Sequence, residues 1–300
     1  MRREYHADPV HRPLRHTQRN MTRTANAGAS VNPLRVLVQG GGDVGSAVAH
    51  RLFLCGQRVL ICDRAQSPHA RRGMAFTDAL FDGVATLEGV QAQWLADIAA
   101  VADCWAAARS IPVMTLPESL LAAAIRFDVV VDATMRRNCI APDQRHLTEC
   151  FIGLGPGYAP GQNCHVAIET QWGSSMGQVL RESEAAQRSG GPRALAGVTR
   201  ERFGIAPATG IWRTAARLGA AVNAGDAVGT LGEHTVRAPI NGHLRGLARD
   251  GVQVSAGQRL LEVDPRPEPQ IFGLGDRPRA IAVGVAKALG CDSSASDSTR

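Results

Sequence analysis

A glycine-rich turn between two apolar runs is the feature that most constrains the fold of this 300-residue chain. Residues 35–39 predict a buried strand, residues 46–55 a helix, and residues 58–63 a second strand that ends in an acid. The turn at residues 40–45 reads Gly-Gly-Gly-Asp-Val-Gly and fits the pattern Gly-x-Gly-x-x-Gly. This order of elements predicts a βαβ unit of the Rossmann-like type.

The turn residues have separate physical roles in such a unit. Gly40 permits the tight turn, Gly42 lets backbone N–H groups approach a pyrophosphate at the helix N-terminus, and Gly45 allows close packing of helix on strand. Asp63 stands where a carboxylate accepts hydrogen bonds from a ribose. Asp43 would repel a phosphate unless its side chain points away. The alternative is that the glycines serve chain geometry alone.

Alternating helical and apolar segments continue beyond this unit. Two short runs around glycines between residues 81 and 94 predict a hairpin. The alternation predicts a parallel sheet. Its further helices and strands are expected, in order, at residues 99–109, 111–115, 118–125 and 128–132.

Two later strand-end loops offer groups that suit an anion. The first follows residue 132 and contains Arg136, Arg137 and Asn138, whose guanidinium groups fit a phosphate or a carboxylate. The glycines of the second loop could form a nest of backbone N–H groups. They are Gly153, Gly155 and Gly157. Solvated arginines and a conformationally demanding loop are the alternative interpretation.

A histidine and a glutamate alternate with apolar residues over residues 165–170. In a strand, His165 and Glu169 share one face and form a candidate polar pair for acid–base or metal chemistry. Half-exposed strand positions are the more common explanation. No third ligand is near in sequence, so no metal site is predicted.

Residues 206–225 recur as residues 238–257, with ten identities in twenty positions. Each copy contains Ala-Pro-x-x-Gly and Val-x-Ala-Gly, and two such copies predict a pseudo-twofold β-sandwich. These signatures resemble the lipoyl and biotinyl carrier fold across residues 206–264. Such carriers attach their cofactor to a lysine at a hairpin tip, and the matching residues 229–235 contain none. Neither lipoyl nor biotin is therefore expected.

The predicted fold class is α/β, with a Rossmann-like parallel-sheet domain followed by a duplicated lipoyl/biotinyl-like β barrel-sandwich module. A disordered Arg-rich tail precedes the first domain, and a helix with a polar tail ends the chain. The predicted segments are the tail at 1–33, the cofactor-binding domain at 34–175, a connecting segment at 176–205, the β module at 206–264 and the C-terminal segment at 265–300.

Residue usage excludes several classes of function. Lys287 is the sole lysine among 33 basic residues, so a Walker loop is absent, as is a Schiff-base lysine elsewhere. With two tyrosines, the Tyr-x-x-x-Lys dyad of short-chain dehydrogenases cannot be assembled. Of the net charge of +6, residues 1–33 hold six Arg against two acids, so no nucleic-acid-binding face is expected. Seven cysteines without Cys-x-x-Cys, no secretion signal and no apolar span predict a cytoplasmic protein away from membranes.

Taken in order, the motifs resemble the selenium-dependent molybdenum hydroxylase system protein family, accessory proteins sometimes labelled xanthine dehydrogenase. The resemblance covers about residues 35–290 and implies a role in maturing a molybdenum hydroxylase. It also implies a Rossmann half similar to the XdhC-type proteins that handle molybdenum cofactor. The motifs are the glycine turn, residues 71–76, residues 128–133, the glycine loop at 153–158, residues 165–170 and the repeat.

Two departures from that family bear on the site. Residues 171–174 read Gln-Trp-Gly-Ser where the family tends to have Asn-Arg-Gly-His, which removes a basic ligand contact. Cys139 stands where the family usually has an aliphatic residue, which argues against a shared sulfur or selenium carrier.

The leading hypothesis is an accessory protein that binds molybdenum cofactor or a dinucleotide and has a molybdenum hydroxylase subunit as its partner. An NAD(P)-binding oxidoreductase and a non-catalytic adaptor remain alternatives, and whether the chain is an enzyme stays open. The hydroxylase itself is excluded, because the chain has no cysteine-rich cluster motifs for its redox centres.

Overall fold

Short apolar segments along the chain assemble into a large central sheet. The computed structural model describes residues 32–115, 117–135, 140–187 and 192–291, and within them this sheet has nine strands. They are β1 (Arg35–Gln39), β2 (Arg58–Cys62), β3 (Val84–Leu87), β4 (Val90–Trp94), β5 (Ser110–Met114), β6 (Val129–Asp132), β7 (Cys150–Leu154), β8 (Val166–Ile168) and β9 (Val179–Leu180). Their order across the sheet is β3-β4-β5-β2-β1-β6-β7-β8-β9.

The inner strands pair in parallel and the two edges do not. From β4 to β8 every neighbouring pair is parallel, whereas β3 pairs antiparallel with β4, and β9 with β8. Strands β5 and β6 are buried at every residue, as expected where both faces of a sheet are covered. The hairpin expected between residues 81 and 94 is present as β3 and β4.

Helices cover both faces of this sheet. The longer ones are α1 (Asp43–Leu54), α3 (Ala100–Ala107), α4 (Glu118–Ala124) and α5 (Asp276–Ala288), and α2 (Ala79–Asp82) is a single turn. One apolar core joins Val36 and Val38 of β1 to α1 and α5, and the other joins Leu37 to Val101 of α3 and Leu121 of α4. Within the described ranges, three 3-10 turns lie at Arg72–Met74, Phe76–Asp78 and Arg145–Leu147.

None of the helices in the described ranges combines the length and the apolar character needed to cross a bilayer.

The repeated segment contributes to two further antiparallel sheets. Their strands are β10 (Phe203–Ile205), β11 (Gly210–Arg213), β12 (Ala221–Val222), β13 (Ala227–Leu231), β14 (His234–Arg237), β15 (Gly242–Leu247), β16 (Gln253–Val254) and β17 (Arg259–Asp264). The orders are β10-β17-β15-β12 and β14-β13-β11-β16. Each sheet thus contains the long strand of one copy (β11 or β15), the strand that follows that copy (β13 or β17) and the short strand of the other copy (β16 or β12). Their shared core contains the fully buried Trp212.

The predicted fold class, a Rossmann-like parallel-sheet domain followed by a lipoyl/biotinyl-like β barrel-sandwich module, is wrong. The large sheet is mixed, because the β3–β4 hairpin and β9 add antiparallel strands at its edges. The repeated segment is not a separate module, because Arg71 and Arg72, which follow β2, bond to Glu262 of β17 and to the Leu247 carbonyl of β15. The C-terminal helix α5 packs beside α1 on the large sheet. The described residues from Pro33 onward form one compact unit.

The predicted segment boundaries stay predictions. Residues 1–31 of the expected disordered tail lie outside the described residues, as do residues 292–300 of the expected polar end. The C-terminal helix expected after the repeat is present as α5.

Candidate ligand-binding site

The chain leaves β1 and β6 in opposite directions across the sheet, so the carboxyl ends of these two strands form a topological switch point. From β1 it passes through α1 to β2 on one side, and from β6 it continues to β7 on the other. Ligands of open α/β sheets bind at such a point. The two exits touch here: a Cβ at Gly40 would lie 3.1 Å from the Ala133 carbonyl oxygen and 3.2 Å from Thr134 Cα. Gly40 also has φ +93°, which favours glycine.

Gly45 lets α1 approach β1 closely, as its position in the motif predicts. A Cβ at Gly45 would lie 1.9 Å from the Gly40 carbonyl oxygen and 3.2 Å from Ala133 Cβ. Real side chains cannot approach a carbonyl oxygen so closely. This glycine is therefore required by the packing of the turn itself.

Asp63 is directed at the glycine turn. Its Oδ2 accepts hydrogen bonds from the Gly41 N–H at 2.9 Å and from the Ser67 hydroxyl at 3.3 Å, and its Oδ1 accepts one from the Arg64 N–H at 2.7 Å. The carboxylate thus lies beside the turn, where the motif predicts it. Its hydrogen bond from the Gly41 N–H also holds the turn in place.

His69 closes the N-terminus of α1. Its Nε2 accepts a hydrogen bond from the Asp43 N–H at 3.2 Å, and a Cβ at Gly42 would lie 3.2 Å from its Cε1 and Nδ1. Burial lowers the pKa of His69, and this outweighs the opposite effect of the Asp43 carboxylate. A neutral imidazole therefore occupies the place where a pyrophosphate would meet the helix.

We expect the His69 ring to be neutral, with its proton on Nδ1, at pH 6.5 and above, because Nε2 is an acceptor here. The pKa of His69 in the folded chain lies below the ordinary 6.5, so as the pH falls the unfolded chain takes up this proton before the folded chain does. The free energy of unfolding therefore falls as the pH drops below about 6.5. Nitrogen-15 NMR of the imidazoles measures both properties, with His69→Gln to assign the signal. A proton on Nε2, or a charged ring at pH 7, would contradict this description.

The Asp43 carboxylate forms an ion pair with Arg71. Its Oδ2 lies 3.0 Å from Arg71 Nη1, and Arg71 Nε lies 2.7 Å from Glu262 Oε2 on β17. Burial alone would raise the pKa of Asp43, but Arg71, His69 and Arg277 together hold it below its ordinary value. The charge that could repel a phosphate is therefore compensated by Arg71.

Glu262 is the centre of a buried ionic cluster that links Arg71, in the segment after β2, to the repeated region. It is 3% exposed, and its Oε1 accepts hydrogen bonds from Arg202 Nε and from Arg245 Nη1, both at 3.0 Å. Burial raises its pKa, but Arg71, Arg245 and Arg202 outweigh burial and hold the pKa at about 2. No short motif in the sequence reveals this cluster, because its members are far apart along the chain.

A row of buried polar groups lies at the ends of β1 and β6. Asp132 pairs in register with Gln39 and accepts hydrogen bonds from the Tyr158 hydroxyl, from the Thr134 N–H at 2.9 Å and from the Thr134 hydroxyl at 2.5 Å. Gln39 is 1% exposed, yet its Nε2 has no hydrogen-bond partner within the described ranges. An unsatisfied buried donor costs about 1–3 kcal/mol. We call Gln39, the turn at 40–45, Asp63, Asp132 and Tyr158 the crossover site.

The glycine loop after β7 is explained by packing. A Cβ at Gly153 would lie 2.0 Å from the Tyr158 ring, and one at Gly155 would lie 2.5 Å from Thr170 Oγ1. The Gly155 N–H already donates to the Ile168 carbonyl at 3.0 Å. The Gly157 carbonyl accepts a hydrogen bond from the Asn163 side chain at 2.8 Å. This arrangement favours the conformationally demanding loop over the anion nest. The other candidates, Arg136, Arg137 and Asn138, lie outside the described residues.

His165 and Glu169 flank β8 and have separate partners. His165 is exposed, and its Nδ1 accepts a hydrogen bond from the Phe151 N–H at 2.9 Å. Glu169 is buried, and its two oxygens accept hydrogen bonds from backbone N–H groups. These belong to Thr170 and Gln171, both at 2.7 Å, and to Ala186 at 2.8 Å. The described residues contain no group of three or more His, Cys, Asp or Glu that could hold a metal ion.

Comparison with known proteins gives one curated relative for this chain. No protein-family model matches the sequence. Over 255 residues the chain is 37% identical to "Uncharacterized protein YqeB" of Escherichia coli (strain K12), an alignment that covers 85% of this chain and 47% of the relative. The chain therefore spans about half the length of the curated relative it matches.

Solved structures give distant matches. A succinylglutamate desuccinylase/aspartoacylase from Rhodobacter sphaeroides has 14% identity, a TM-score of 0.21 and coverage of 50% of this chain and 63% of its own. The ectoine utilization protein EutE (DoeB) from Ruegeria pomeroyi has 10% identity, a TM-score of 0.24 and coverage of 78% and 86%. An aspartoacylase family protein from Mesorhizobium loti has 14% identity, a TM-score of 0.26 and coverage of 79% and 87%. Similarity at this level transfers no activity to this chain.

The expected membership of the selenium-dependent molybdenum hydroxylase system family is wrong, and so is the maturation role that it implied. The curated relative is uncharacterized, and the structural matches are aspartoacylase-type and ectoine utilization proteins. None of these matches is an XdhC-type protein. The expected molybdenum cofactor and hydroxylase partner are tested by none of these observations and stay predictions.

Proposed function

We propose that the chain binds a dinucleotide at the crossover site. The observation that supports this most is the buried Gln39 amide, whose Nε2 has no partner in the described part of the chain and which lies at the β1–β6 crossover next to the glycine turn. A ligand acceptor there would satisfy a donor that the protein leaves unsatisfied. Molybdenum cofactor, the other ligand expected from sequence, also has a phosphate and is the alternative occupant.

The groups around the turn suit the parts of a dinucleotide. The Asp63 carboxylate can accept hydrogen bonds from ribose hydroxyls, and the Gln39 amide can donate to a carbonyl or ring nitrogen of a base. The diphosphate would meet the N-terminus of α1. Since His69 accepts the Asp43 N–H there, binding must displace the ring, and we expect its nitrogen-15 signals to shift when NAD⁺ is added.

The Gln39→Met variant tests this proposal. We expect its affinity for the dinucleotide to fall at least tenfold, which corresponds to about 1.4 kcal/mol. Its free energy of unfolding should stay equal or rise by about 1 kcal/mol, because the substitution removes an unsatisfied buried donor. Isothermal titration with NAD⁺, NADP⁺ and FAD, together with urea unfolding, measures both effects.

Gln91→Met is the matched control, since Gln91 is exposed on β4. It should bind like the wild-type chain. If the wild-type chain gives no binding with any of the three dinucleotides, or if the Gln39 variant binds as tightly as wild type, the proposal fails.

A further inference from the structure

Helices α1 and α5 lie side by side with their corresponding ends together. Near their N-termini, the positive charge of Arg277 on α5 lowers the pKa of the Asp43 carboxylate on α1. At their other ends, Cys55 follows the last residue of α1 and Cys291 follows α5 by three positions. Two cysteines that are 236 positions apart in the chain are thereby brought together.

The two cysteines are in direct contact. The Cys55 thiol donates a hydrogen bond to the Cys291 carbonyl oxygen at 3.2 Å, and both side chains are partly exposed. A disulfide needs Cα atoms about 4.4–6.8 Å apart. The 3.2 Å contact places the Cys55 sulfur against the backbone of Cys291, which is the observation that suggests this pair. Among the other described cysteines, Cys62 and Cys164 are buried and Cys104 is hydrogen-bonded to Ser110.

We propose that Cys55 and Cys291 are a dithiol that a low-molecular-weight disulfide oxidises to an intramolecular disulfide. The Cys55 thiolate attacks oxidised glutathione, forms a mixed disulfide and releases one glutathione thiolate. The Cys291 thiolate then attacks the Cys55 sulfur and releases the second. The protein loses two electrons and two protons, and the oxidant leaves as two molecules of reduced glutathione.

The second step should be the slow one. Burial, together with the neighbouring Cys55, raises the pKa of the Cys291 thiol to about 11, so few Cys291 thiolates exist at neutral pH. The product would join the ends of α1 and α5 and close a loop of more than two hundred residues. Cross-links of long loops restrict the unfolded chain most.

Peptide mapping of the full chain after treatment with oxidised glutathione tests the proposal. We expect a Cys55–Cys291 linked peptide that has lost two hydrogen masses and disappears on reduction. The melting temperature of the oxidised chain should exceed that of the reduced chain by roughly 5 °C or more.

Single variants control for other linkages. Cys55→Ser and Cys291→Ser should each abolish the linked peptide and the shift in melting temperature, whereas Cys104→Ser should keep both. The proposal is overturned if the wild-type chain gives no such peptide, gives stable glutathione adducts instead, or links either cysteine elsewhere. Because this experiment uses no dinucleotide, its outcome does not depend on the crossover site.

Discussion

Replacing Glu262 with glutamine should lower the free energy of unfolding by about 3–5 kcal/mol. The substitution keeps the size of the side chain but leaves three arginines without their shared carboxylate. Arg202 and Arg245 have only 3% and 11% of their side chains exposed, so water cannot replace the lost partner. Urea unfolding measures the loss. Glu233→Gln, at an exposed position in the β13–β14 turn, is the matched control and should change stability by less than about 0.5 kcal/mol.

The same cluster should give stability a specific dependence on pH. The pKa of Glu262 is about 2 in the folded chain against an ordinary 4.5, so its contribution is complete above about pH 4.5 and is lost as pH falls toward 2. The Glu262→Gln variant should therefore lose less stability than wild type across that interval. Equal acid sensitivity in the two chains, or a variant within 1 kcal/mol of wild type at pH 7, would show that the cluster contributes little.

Replacing Gly45 with valine should prevent stable folding or cost about 4 kcal/mol or more. The valine Cβ would lie 1.9 Å from the Gly40 carbonyl oxygen. Relieving this clash would require α1 to move away from β1 and lose its packing there. Gly210→Ala is the control, because its Cβ would meet Leu231 at an ordinary 3.4 Å. Soluble yield and denaturation midpoint compare the two. Equal midpoints would mean that α1 does not pack against the turn as described.

The sequence predicts features whose signals are local. Close spacing along the chain reveals the glycine turn, the packing role of Gly45, the position of Asp63 and the β3–β4 hairpin. It also reveals the 32-residue repeat. Each of these features depends on residues within one or two consecutive helices or strands. The spacing of glycines and of apolar residues along the chain indicates such local features directly.

Long-range features have no such signal. The antiparallel pairing of β9 at one sheet edge, the partner of α5 and the contact of His69 with the N-terminus of α1 depend on segments that are not adjacent in the sequence. Glu262 meets Arg71 from 191 positions away and Arg202 from 60. No periodicity connects residues at these distances, so sequence inspection found neither this cluster nor the buried Gln39 amide.

The motif at residues 71–76 shows why ordered motifs gave the wrong family. Arg71 bonds to Asp43 and Glu262, and Arg72 bonds to the Leu247 carbonyl and to Asp78. A Cβ at Gly73 would lie 2.7 Å from the Ile271 carbonyl oxygen. Each of these residues has a packing or ion-pair role, and such roles say nothing about a maturation activity.

The placement of α5 has a consequence for how the chain is made. Its fully buried Ile281 and Val285 complete the core that also contains Val36 and Val48 near the beginning of the chain. During synthesis, that face of the early strands must stay uncovered until the final helix has emerged from the ribosome. Until α5 is available, nascent chains should consequently display an apolar surface of the kind that chaperones bind.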